Sequence, residues 1–213
     1  IREKQGQKGR SPGIHLSHLI NCQRKSWWEL YGHALYPQGE KPSLPPDDTF
    51  TLNVMLGEGH HGLIGGATEE DKEELWNGIF CTADELMEDE SGELVVVEYK
   101  TTRKSAKRGI EELSNYVDQA AGYCLAHGAL HALLHVFHLV GYYTPPMPVH
   151  RCYDITFEDY ELAWWAGELL RRKSLIESAT HWSQIPVEEA YAWEGKPDWH
   201  CPLLDLGLCP GGG

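Results

Sequence analysis

The 213-residue chain has few basic residues and no long apolar run. Lys and Arg together number 18 against 32 Asp and Glu, which gives a formal net charge of −14. A chain this acidic is not expected to coat nucleic acid by general charge attraction, so any DNA contact must be local. No segment approaches the roughly 20 consecutive apolar residues of a membrane helix, and nothing near the start resembles a signal peptide.

These absences predict a cytoplasmic protein with no membrane partner. Because the first residue is Ile rather than Met, we expect the natural chain to start further upstream. Cysteine is also scarce, since six cysteines spread over this length are too few for a disulfide scaffold. We therefore expect reduced thiols or metal ligands, with Cys81 and Cys124 buried as small apolar side chains.

The order of apolar patterns predicts a single mixed α/β domain over residues 1–213 with a central sheet. Two strands joined by the turn residues "EDESG" are predicted to form a hairpin. The predicted helices cover residues 18–34, 50–67, 68–76, 109–128 and 158–179, and the predicted strands cover 78–89, 92–102, 132–143 and 149–157.

The strand "GELVVVEYKTT" ends in opposite charges. Side chains two apart on a strand share a face, so Glu98 and Lys100 point together while Tyr99 points the other way. The hairpin brings Asp84, in "CTADEL", beside Glu98. Crowded carboxylates repel unless a cation intervenes, and oxygen ligands suit Mg²⁺ or Mn²⁺, with Lys100 placed to orient an attacking water. The alternative is a cross-strand ion pair at a sheet edge.

"TADEL" followed by "VVVEYKTT" resembles motifs II and III of the PD-(D/E)XK nuclease superfamily. Members similar to the RecB nuclease domain also carry a histidine in a preceding helix, in a G-x-x-x-H setting. Gly57 to His61 matches that setting, with His60 as the neighbouring alternative. The same group carries Q-x-x-x-Y on the following helix, which Gln119 and Tyr123 match.

This resemblance implies a restriction-endonuclease-like core at about residues 50–160 and a role for each matched residue. Lys100 would serve the attacking water, and Gln119 and Tyr123 would position the active site or the DNA. The metal ligands implied by the resemblance are His61, Asp84, Glu98 and the backbone carbonyl of Tyr99.

A narrower resemblance is to the CRISPR-associated RecB-like iron–sulfur exonucleases and related phage nucleases. These carry one cysteine near the N-terminus, which Cys22 in "HLINCQRKSWW" matches, and three near the C-terminus. "KPDWHCPLLDLGLCPGGG" supplies only Cys201 and Cys209. The resemblance implies a 4Fe–4S cluster that joins residues 15–35 to 195–213, with His200 or Cys152 as the fourth ligand. A zinc site or no metal are the alternatives.

Basic residues next to the valine strand are expected to track DNA phosphates, although a solvated loop is the alternative reading. For the tryptophans, packing is favoured over base stacking. The basic residues are Arg103, Lys104, Lys107 and Arg108, with Arg24 and Lys25 as a second group, and the tryptophans are Trp27, Trp28, Trp164 and Trp165.

The combined expectation is a metal-dependent DNA exonuclease that acts on single-stranded DNA or ends. The resemblance implies the cytoplasm of a bacterial, archaeal or phage-infected cell, and partners in CRISPR adaptation or in phage or host recombination and repair. Two other classes stay open: a non-catalytic DNA-binding or assembly subunit, and a zinc-binding structural protein with incidental carboxylates.

Overall fold

A computed structural model describes residues 11–35, 73–102, 106–107, 109–139, 148–186, 203 and 207–209. Within them the chain forms a mixed α/β fold, as predicted, and none of the helices there is both long enough and apolar enough to cross a membrane. The helices are α1 (Leu16–Ile20), α2 (Gln23–Tyr31), α3 (Ser114–His127) and α4 (Asp159–Ser178). The strands are β1 (Glu73–Trp76), β2 (Ile79–Thr82), β3 (Glu85–Glu88), β4 (Leu94–Thr102), β5 (His131–His138) and β6 (Val149–Thr156).

The larger sheet has the strand order β3-β4-β5-β6, and β1 pairs with β2 in a separate two-stranded sheet. The predicted hairpin is confirmed, because β3 and β4 pair antiparallel with Glu85 opposite Val97. In its turn, Asp89 accepts hydrogen bonds from the backbone N–H groups of Ser91 and Glu93. β4 and β5 run parallel, and α3 lies in the crossover that a parallel pair requires.

One predicted helix is wrong in its described part, because residues 73–76 of the acidic segment 68–76 form β1. The cause is the Asn77–Gly78 pair, in which both residues have positive φ, at 49° and 76°. A two-residue Asn-Gly turn of this kind favours a hairpin, which pairs Trp76 with Ile79. The predicted helix 50–67 lies outside the described residues.

Two predicted elements are interrupted. The strand 78–89 divides at Ala83–Asp84 into β2 and β3, and the helix 18–34 divides at Asn21–Cys22 into α1 and α2. The helix predicted at 109–128 is confirmed as a 3₁₀ turn (Ile110–Leu113) followed by α3. It ends at Gly128, whose φ of 69° is the left-handed conformation that glycine adopts at low cost.

The core lies between the helices and the sheet face that carries Val96 and Ala132. Trp27 and Trp28 are buried within it, which confirms the packing interpretation for this pair. Trp164 differs, since it is 61 % exposed on α4. α1 approaches α3 closely at Gly122, where an added Cβ would stand 2.6 Å from the Leu16 methyl groups. A side chain at Gly122 would therefore force α1 and α3 apart.

Candidate active site

The site is built on the second half of β4. Val95, Val96 and Val97 are buried, and Glu98 continues the strand with only 1 % of its side chain exposed. Glu98 is in register with Leu134 of β5, so both side chains lie on the same face of the sheet. An ionisable acid is thus held inside an apolar layer, where ionisation is costly without a compensating charge.

Asp84 lies beside Glu98 because of the break between β2 and β3. The register of the hairpin places Glu85 opposite Val97. Because the two strands are antiparallel, Asp84, which precedes Glu85, comes opposite Glu98, which follows Val97. Oδ2 of Asp84 accepts a hydrogen bond from the backbone N–H of Tyr99 at 2.8 Å. Two carboxylates therefore lie next to each other at the same level of the sheet.

Lys100 forms an ion pair with Oε1 of Glu98. The other Glu98 oxygen, Oε2, is buried and has no hydrogen-bond donor within reach in the described part of the chain. Burial raises the pKa of the Glu98 carboxyl to about 7, although Lys100 lowers this pKa and Asp84 raises it further. Burial lowers the pKa of Lys100, but the charges of Glu98 and Asp84 outweigh burial, and the Lys100 pKa is raised.

The Gln119–Tyr123 pair on α3 is the second component of the site. Nε2 of Gln119 donates a hydrogen bond to the phenol oxygen of Tyr123 at 2.6 Å. Burial raises the pKa of Tyr123 well above its ordinary value, and the charge of Glu98 is the next largest cause. The phenol is therefore close enough to the acid pair to sense its charge.

Tyr116 is a residue that sequence reasoning missed. It lies three residues before Gln119 on the same helix and packs beside the buried cluster of Leu134 and Val136. Tyr116 is the smallest of the causes that act on the pKa of Lys100, which places the phenol near the ammonium group. The only available signal was helical spacing, since Tyr116 and Gln119 are three apart and lie on the same side of α3.

The backbone and the side chain of Tyr99 have different hydrogen-bond partners. The backbone N–H contacts Asp84, whereas the phenol points to the opposite sheet face and donates to Oε2 of Glu85 at 2.9 Å. The remaining predicted residues of this site, His61, Arg103 and Lys104, lie outside the described residues, as does the alternative His60.

The donor set fits a hard divalent cation in part. Two adjacent carboxylates and a buried oxygen without a donor are what Mg²⁺ or Mn²⁺ would satisfy. The residues that the structure describes contain no group of three His, Cys, Asp or Glu side chains able to hold a metal. Asp84 and Glu98 would therefore supply two ligands for such an ion, and the third expected side chain, His61, is not among the described residues.

The cysteines expected at a terminal metal site are only partly described. Cys22 and Cys209 are buried, and Nη1 of Arg24 lies 3.5 Å from Sγ of Cys209, so the C-terminal segment packs against α2. Cys201 and His200 lie outside the described residues. Cys152 lies on the open sheet face, with Sγ 3.7 Å from Nε2 of His135, and is exposed. The described residues thus supply two thiols at α2, which does not complete a four-ligand cluster.

The expectation that Arg24 tracks phosphates is wrong. Its side chain is buried, its Nε donates to the carbonyl of Ile185 at 2.7 Å, and its guanidinium stacks on Trp182. The expected burial of Cys81 and Cys124 is confirmed, and burial raises the pKa of each thiol to about 12.

Comparison with known proteins adds a fold relationship. No family model matches the chain, and no curated protein matches it. A solved structure titled "Crystal structure of SSO0001" is similar, with a TM-score of 0.51 over 97 % of this chain and 89 % of that chain. The sequence identity is 16 %, which supports a shared fold and nothing about activity.

Proposed function

We propose that the chain is a divalent-metal-dependent deoxyribonuclease of the PD-(D/E)XK type. The observation that carries this proposal is the Glu98 carboxylate, buried in an apolar layer between the Lys100 ammonium and the Asp84 carboxylate. A structural ion pair would need one acid and one base at this position. The second acid adds repulsion, which a protein tolerates where the group serves a cation or a reaction.

Asp84 and Glu98 would hold a Mg²⁺ or Mn²⁺ ion, joined by His61 and the Tyr99 carbonyl as the resemblance implies. When bound, such an ion lowers the pKa of water and offsets the charge that develops on a phosphodiester. Within this chain, the Lys100 side chain is 19 % exposed and that of Glu98 1 %, so the lysine is the more accessible member of the pair. Lys100 would orient the attacking water and donate to a phosphate oxygen.

Gln119 and Tyr123 have a positioning role in this proposal. The Gln119 amide fixes the Tyr123 phenol, whose pKa is raised so that it keeps its proton and can donate a hydrogen bond. A neutral donor close to two carboxylates would orient one of them without adding charge. The substrate we propose is single-stranded DNA or DNA ends, in CRISPR adaptation or in phage or host recombination and repair, on the basis of the motif resemblance.

The test is degradation of end-labelled single- and double-stranded DNA in Mg²⁺, in Mn²⁺ and in EDTA. Glu98→Gln removes the charge with little change in shape, and we expect it to lower the rate about 100-fold or more. Glu88→Gln is the matched control, because Glu88 lies exposed at the far end of β3, and it should cut like the wild type. Equal cutting by Glu98→Gln would refute the site. Binding without cutting in any metal would favour the non-catalytic DNA-binding subunit.

A further inference from the structure

The strand next to the candidate active site carries a cation and an aromatic ring on the same face. Lys100 is in register with Val136, and Val136 with Arg151 of β6. Glu98 is likewise in register with Leu134, and Leu134 with Tyr153. Because register partners on neighbouring strands share a face, Arg151 and Tyr153 lie on the side of the sheet that carries the acid pair.

The spacing follows from the sheet. Neighbouring strands lie about 4.8 Å apart, so two steps place the backbone of Arg151 about 10 Å from that of Lys100. A single strand with one phosphate at Lys100 would therefore need to span only about 10 Å to bring another of its phosphates to the level of Arg151.

Arg151 and Tyr153 differ in how far they are buried. Arg151 is exposed at the edge strand of the sheet, and no carboxylate of the described residues forms an ion pair with it. Tyr153 is half-buried and packs beside the cluster of Leu113, Leu134 and Val136. Tyr153 is thus anchored by the cluster while the residue stays partly exposed.

Tyr116 packs on the same cluster from α3. Two partly exposed tyrosines, Tyr116 and Tyr153, therefore border the apolar cluster. Lys100 on β4 and Arg151 on β6 lie on either side of β5 on the same sheet face. Aromatic rings next to a line of cations are the usual surface for unpaired bases and their backbone. An arginine that only protects a sheet edge would need no such ring beside it.

We propose that Arg151 and Tyr153 form a subsite for single-stranded DNA next to the acid pair, with a phosphate on Arg151 and a base stacked on Tyr153. This inference rests on the proposed nuclease function and deepens it, because it names the strand and side chains that hold the substrate. It also gives an acidic chain a local means of DNA contact on the face that carries Lys100.

The experiment measures binding of labelled single-stranded oligonucleotides of about 4 to 16 nucleotides over a range of salt concentrations. It uses the Glu98→Gln background in EDTA, so that cutting does not disturb the measurement. Arg151→Gln should weaken binding and make the slope of log affinity against log salt shallower by about 0.7. Tyr153→Leu should weaken binding about tenfold with the slope unchanged, and Tyr153→Phe should restore it.

Arg171→Gln is the matched control, because Arg171 is an exposed arginine on α4, and it should leave both affinity and slope unchanged. Thermal unfolding of each variant shows whether the fold is kept. Tyr153→Phe keeps the aromatic ring, so normal binding by this variant shows that the defect of Tyr153→Leu comes from the loss of the ring. DNA cutting by the wild type with unchanged binding in the Arg151 and Tyr153 variants would overturn the subsite alone. A wild type that neither binds nor cuts DNA would overturn both proposals.

Discussion

The backbone N–H of Tyr99 donates a hydrogen bond to Asp84, which joins the break between β2 and β3 to the strand that carries Glu98. The bond explains why the chain leaves regular pairing at Ala83–Asp84. A backbone donor of β4 is satisfied by a side chain, and the carboxylate is held close to a second acid. The interruption of the strand and the geometry of the acid pair thus have the same cause.

Asp84→Asn should separate the structural and chemical roles of this residue. The amide oxygen can still accept from Tyr99, so we expect the free energy of unfolding to stay within about 1 kcal/mol of the wild type. Asp84→Ala removes the acceptor and should cost a further 1 kcal/mol or so, on the order of one hydrogen bond. DNA degradation should be lost in both variants, because both lack the charge. Urea unfolding and the DNA assay, run on the same preparations, check this, and normal cutting by Asp84→Asn would contradict it.

The Gln119–Tyr123 hydrogen bond predicts that substitutions of these two residues have non-additive effects on the free energy of unfolding. Tyr123 is 6 % exposed and Gln119 is half-buried, so Tyr123→Phe leaves the Gln119 amide without its acceptor at a partly buried position. A double-mutant cycle with Gln119→Leu should give a coupling energy of about 0.5–1.5 kcal/mol in urea unfolding. Tyr160→Phe is the control, since Tyr160 is 73 % exposed on α4 and its substitution should change nothing. Additive costs for the two substitutions would show that the bond contributes no stability.

Much of the sheet was predictable, because local signals decide it. The valine strand and the turn after Asp89 predicted the β3–β4 hairpin, and strand alternation predicted that Glu98 and Lys100 share a face. The Asn77–Gly78 turn was also visible in the sequence, but the acidic residues before it favoured a helix.

The remaining features depend on contacts between distant parts of the chain. Burial of Arg24 requires the Ile185 carbonyl and the Trp182 ring, both about 160 residues further along the sequence. Lys100 and Arg151 are aligned through β5, which pairs parallel with β4 and antiparallel with β6. Neither register is set by a short turn. Local patterns give no access to such relationships.

The close approach of α1 and α3 predicts that an added methyl group lowers the unfolding free energy at Gly122 but not at Gly167. Gly122→Ala would place a Cβ 2.6 Å from the Leu16 methyl groups, and Leu16 is itself buried, so we expect a loss of about 1–3 kcal/mol in unfolding free energy. Gly167→Ala on α4 meets nothing within 4 Å and should stabilise by up to about 1 kcal/mol through helix propensity. Combining Gly122→Ala with Leu16→Ala should cost less than the sum of the two, and strict additivity would contradict the contact.

Asp118 predicts a dependence of stability on pH that is independent of the acid pair. Burial raises its pKa from 3.8 to about 6, against the lowering effect of Arg172. Because the folded pKa is the higher one, the stabilising contribution is complete below about pH 4 and is lost as the pH rises through about 6. A rise of about two in pKa corresponds to at most about 3 kcal/mol. In Asp118→Asn this loss is absent, so the variant should gain stability relative to the wild type between about pH 4 and 6. Urea unfolding across that range measures the difference, and a gap that stays constant with pH would show that Asp118 keeps its ordinary pKa in the folded chain.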